Sequence, residues 1–80
     1  MAASTLDTLA DKLAEDTLAA MDETGEDRLY TEVGNVLGAS SQSLEEAFLT
    51  AIRIRLAERN ARHFLDARLA KARAQGEPGA

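Results

Sequence analysis

Cysteine and tryptophan are absent from this 80-residue chain, and histidine and proline occur once each. Without cysteine there is no disulfide framework and no thiolate metal site. The single histidine, His63, would have to be the base of any Ser-His-Asp or Cys-His system. On a helix its neighbours are Arg59, Arg62 and Ala67, with only Asp66 placed to orient it. Two guanidinium groups disfavour the imidazolium that a general base must become, and no nucleophile lies one turn away. Ferritin-like metal sites set a glutamate three residues before a histidine, and here that position holds Asn60. Carboxylates such as Glu15, Asp16, Asp22, Glu23, Glu26 and Asp27 are plentiful but lack the spacing, central glycine and closing glutamate of a calcium loop. No glycine-rich phosphate loop is present, and Tyr30, Phe48 and Phe64 are too few for a base-stacking platform. The expectation is a protein that is not an enzyme, with no catalytic, cofactor-binding or metal-binding residue.

Long apolar runs are also missing. No stretch approaches the eighteen or so apolar residues of a membrane span, and no signal-peptide core is recognisable, so the expected location is cytoplasmic. The basic amphipathic stretch late in the chain carries mostly alanine on its apolar side, which inserts poorly, and no membrane partner is expected.

What the chain does contain is helix. Residues 44 to 74 hold neither glycine nor proline. Ser43 and Glu46 have the spacing of a capping box. Leu44, Ala47, Phe48, Ala51, Ile52 and Arg55 then follow three and four apart, as one face of a helix requires. Before it, Ser4 and Asp7 mark the start of an amphipathic helix over residues 5 to 23, ended by Thr24 and Gly25. A short helix over 27 to 37 would turn Leu29, Val33, Val36 and Leu37 to the core and stop at Gly38. Gly34 inside it costs roughly 1 kcal/mol relative to alanine, which points to close approach by another backbone. Residues 1 to 3 and 75 to 80 read as disordered flanks of one domain spanning 1 to 80.

Length then constrains assembly. A helix over residues 44 to 74 is about 46 Å long, whereas a compact 80-residue chain has a radius of gyration of about 12 Å and a diameter of roughly 30 Å. The excess would expose Phe64, Leu65 and Leu69 unless a second chain covers them. Ala47, Ala51, Ile54, Glu58, Ala61, Leu65, Arg68 and Ala72 alternate spacings of four and three, the pattern of a coiled-coil seam. The fold class expected is therefore all-α, with three helices assembled as a homodimer or larger helical bundle. Two antiparallel long helices would carry the short ones on their flanks. The interface is assigned to Phe48, Ile52, Ile54, Ala61, Phe64, Leu65 and Leu69.

Charge is divided along the chain. Residues 1 to 50 carry eleven acids and two bases, a balance of −9, and residues 51 to 80 carry three acids and seven bases, a balance of +4. The acidic helices are expected to fold back on the basic one, within a chain or between copies.

Residues 32 to 48, read as Glu-Val-Gly-Asn-Val-Leu-Gly-Ala-Ser-Ser-Gln-Ser-Leu-Glu-Glu-Ala-Phe, resemble the core of a helix-turn-helix DNA-binding motif. Gly34, Gly38 and Leu44 match its small first-helix residue, turn glycine and second-helix anchor. The resemblance implies base-contacting positions at Ser41, Gln42, Ser43 and Glu46, with Gln42 suited to adenine. Glu45 and Glu46 stand where phosphates would pass, and no base lies between Arg28 and Arg53. Phosphate neutralisation supplies much of the affinity of such motifs, so this charge pattern weighs against nucleic acid. The main expectation is a non-catalytic protein-interaction module, a homo-oligomerising adaptor or regulatory subunit with a protein partner; a DNA-binding regulator is the alternative.

Overall fold

The structure, a computed structural model, describes residues 4 to 76. It is all-helical over that range, with α1 (Thr5–Thr24), α2 (Leu29–Gly38) and α3 (Gln42–Ala74). Of the flanks expected to be disordered, residues 1 to 3 and 77 to 80 lie outside the described residues. Gln75 and Gly76 instead close α3, their amides bonding to the carbonyls of Lys71 at 3.1 Å and Arg73 at 3.0 Å.

The boundaries of α1 follow its local chemistry. Ser4 Oγ accepts the amide of Asp7 at 3.1 Å, and Asp7 also sets a negative charge at the positive end of the helix dipole. At the other end Gly25 takes φ 75°, a left-handed conformation that lets its amide reach the Met21 carbonyl at 2.8 Å. α2 begins two residues later than the spacing predicts: residues 27 and 28 form a turn in which the Leu29 amide bonds to the Glu26 carbonyl at 3.4 Å, and Arg28 at the cap makes no side-chain capping bond.

Two further expectations need correction. The cap of α3 is Ser41, not Ser43: Ser41 is extended, with φ −155° and ψ 107°, and its Oγ accepts the Leu44 amide at 3.1 Å. Ser43 is already inside the helix, so no capping box forms with Glu46. Val36 faces solvent, 72% exposed, because the buried face of α2 centres near Gly34 and a step of two residues turns about 200° around a helix.

The core is small and sits where α1 crosses the first third of α3. Ala10, Ala14 and Leu18 of α1 pack against Phe48, Ala51 and Ile52 of α3, and among the described residues only Phe48 and Ile52 are large side chains with no exposure at all. Half-buried Tyr30, Val33 and Leu37 close one side from α2. Gly34 is closely packed there: an added Cβ would stand 3.3 Å from Leu49 Cδ2, so the neighbour that presses on it is a side chain of α3, which would have to give by a few tenths of an ångström. Gly38 ends α2 without a left-handed turn; its missing side chain leaves room for the Glu45 carboxylate, whose Oε1 would lie 2.7 Å from an added Cβ.

Beyond Leu56 the core stops and α3 continues. The described chain measures 55 × 35 × 14 Å with a radius of gyration of 16.8 Å, well above the value of a compact chain this long. No described helix is long and apolar enough to cross a membrane.

Candidate interaction surface

From Ala57 to Ala70 every residue of α3 is exposed. Phe64 is 63% exposed, Leu65 49% and Leu69 42%, and Ile54, nearer the core, is 62% exposed. Two stripes therefore run along one helix. The first, through Phe48 and Ile52, is used up inside the chain and leaves no surface for a second copy. The other carries Ile54, Ala61, Leu65 and Leu69, with Phe64 about 100° around the helix from Leu65, and all five are presented to solvent. Of the seven residues assigned to an interface from sequence, these five lie on free surface, with Ile54 linking the overhang to the body.

Ion pairs tie α1 to α3 at the rim of their packed core. Arg55 donates to Asp11 at 3.4 Å and to Glu15 at 3.3 Å, and Arg59 makes a two-pronged pair with Asp22, 3.1 Å on each prong. The partners advance in the same sense along both helices, so α1 and α3 point the same way. Arg59 also answers the acid at the carboxyl end of α1, where the helix dipole disfavours it. Exposed pairs of this kind contribute about 0 to 1 kcal/mol each, and the paired fork adds orientation more than stability.

Farther out, Glu58 accepts a 2.8 Å bond from Arg62, and that bond with the carboxylate's charge raises the Arg62 pKa above its ordinary value. Arg68 lies over the Phe64 ring, 5.2 Å from its centre, which covers part of an exposed aromatic face. Lys71 and Arg73 complete a basic tip.

A groove of ≈ 520 Å³ opens between α1 and α3. Buried Ala10 and Ala51 contribute small apolar surface, and exposed Asp7, Asp11 and Glu46 contribute three carboxylates. Ala47, Thr50 and Ile54 continue its lining along α3. Sequence reading missed this groove because its walls come from helices nearly forty residues apart. Ala47, Ala51 and Ile54, the first three residues of the alternating row, are part of the share that α3 gives it.

At the corner between α2 and α3 the structure brings Gly34, Gly38 and Leu44 to one turn, Ala39, Ser40 and Ser41. Ser41 is half-buried with its hydroxyl committed to the helix cap, while Gln42 and Ser43 are exposed. His63 stands exposed on the overhang. Among the described residues no cluster of three or more His, Asp or Glu side chains is spaced to hold a metal ion. No model of a known protein family matches the chain, and no curated protein or solved structure compared with it matches either.

Proposed function

We propose that this chain is a non-catalytic helical interaction module that associates with its own copies through the outer half of α3, acting as an adaptor or regulatory subunit. The observation that carries this is the overhang: Phe64, Leu65 and Leu69 are 63%, 49% and 42% exposed on a helix that continues well past its own core. Large apolar side chains exposed on a helix lose hydration cost when a second surface covers them. A chain of this size with only two large, fully enclosed core side chains also gains much from a partner. The packed core shared by α1 and α3, rimmed by their ion pairs, leaves the outer half of α3 projecting from the body.

Sedimentation equilibrium over a hundredfold range of concentration tests the proposal. The expected mass is at least twice the 8.6 kDa of one chain at the upper end, falling on dilution. A constant mass of one chain at every concentration refutes it.

A further inference from the structure

We infer that the groove between α1 and α3 receives the basic tip of α3 from a second copy, the two long helices running antiparallel about a two-fold axis passing between Arg59 and Asn60. This rests on the self-association proposed above and assigns it an occupant, a direction and a register.

The groove has the chemistry of a receptor for a cationic amphipathic helix. Its base is small and apolar at Ala10 and Ala51, and its charged groups, Asp7, Asp11 and Glu46, are all carboxylates. Asp11 already shares Arg55, whereas among the described residues Asp7 and Glu46 have no ion-pair partner. The tip of α3 supplies the complement. Leu65, Leu69 and Ala72 lie there with Arg68, Lys71 and Arg73, and none of these three bases is in an ion pair among the described residues. Within one chain the tip cannot reach the groove, because α3 is one continuous helix from Gln42 to Ala74 whose first turns line the groove and whose last turns form the tip. A second copy can bring it.

Register follows from the alternating row. Spacings of four and three read the same in both directions, so an antiparallel copy sets Ala47 opposite Ala72, Ala51 opposite Arg68, Ile54 opposite Leu65, and Glu58 opposite Ala61. The two large exposed side chains of the row meet each other twice, and the small ones allow close approach at both ends. Arg68 enters beside Asp7 and Asp11, while Lys71 falls along the wall that carries Glu46. The parallel in-register alternative sets Glu58 against Glu58 and Arg68 against Arg68, and it leaves each acidic groove facing its own copy. Like charges so placed oppose association.

The absence of native cysteine makes the register directly readable. Chains carrying Ala47→Cys and chains carrying Ala72→Cys are mixed and oxidised; the mixed disulfide is expected to form in preference to either homodimer. Ile54→Cys with Leu65→Cys, both at exposed positions, repeats the test independently of any effect at half-buried Ala47. In a second arm, Lys71→Glu weakens association at least roughly tenfold and Glu46→Lys in the same chain restores much of it. Preferential Ala47→Cys homodimers, or failure of the charge exchange to rescue, overturns the antiparallel register while wild-type dimers leave the module reading standing. A wild-type chain that is monomeric throughout overturns both.

Discussion

Replacing Leu65 by aspartate separates the two stripes of α3. Leu65 is 49% exposed, so its own chain already covers about half of it. Full burial of a leucine side chain is worth about 1.5–3 kcal/mol, and covering the remaining half in an assembly therefore adds about 1 kcal/mol per copy, or about 2 kcal/mol for a two-fold dimer. Leu65→Asp forfeits that and also brings two carboxylates against Ile54 of the opposite chain, a further penalty of at least about 1 kcal/mol apiece. A loss of roughly 4 kcal/mol weakens dimerisation by about a thousandfold. Within a single chain the same substitution touches no core residue, and its effect on folding stays near the helix-propensity difference of about 0.5 kcal/mol. Sedimentation velocity should therefore show one-chain particles at concentrations where the wild type is assembled, and far-UV circular dichroism at matched monomer concentration should change little. An unchanged mass refutes the assignment of Leu65 to the interface. Collapse of helix signal even in dilute monomer would mean instead that Leu65 supports its own chain.

Two further substitutions probe the body. Phe48→Ala empties the fully enclosed centre of the core and should lower stability by about 3–5 kcal/mol, much of what an 80-residue chain possesses, as read from the urea midpoint; a loss under about 1 kcal/mol would place Phe48 outside the core. Ser41→Ala should destabilise by about 1 kcal/mol and Ser43→Ala by less than about 0.5 kcal/mol, and the reverse order in thermal melts would return the cap to Ser43.

Local chemistry wrote most of the helical boundaries into the sequence. Ser4 and Gly25 bracket α1 as their side-chain oxygen and achiral backbone lead one to expect, and the opposed charges of the two halves of the chain reappear as Arg55 and Arg59 gripping α1. The misplaced cap of α3 has a simple origin: Ser41 and Ser43 offer the same acceptor two residues apart, and only the extended backbone at Ser41 decides between them. Periodicity could show that α3 has more apolar positions than one face holds, but not which stripe α1 covers. That choice depends on how Ala10, Ala14 and Leu18 meet Phe48 and Ile52, residues thirty or more positions apart. For the same reason the groove flanked by Asp7 and Glu46 left no trace in any local motif.

The overhang of α3 has one more consequence. Helix nucleation is costly, but the part of α3 held by Phe48, Ala51 and Ile52 already supplies the first turns, so each later residue only extends an existing ladder at close to zero net free energy. Such a ladder unzips readily from its far end, and amide protons past Ala57 should exchange with solvent long before those beside Phe48. On the self-association proposed above, crowding the molecules together would do more than join them: it would convert the final turns from a fraying end into a fixed one, and make abundance itself the variable that sets how much of the chain is ordered.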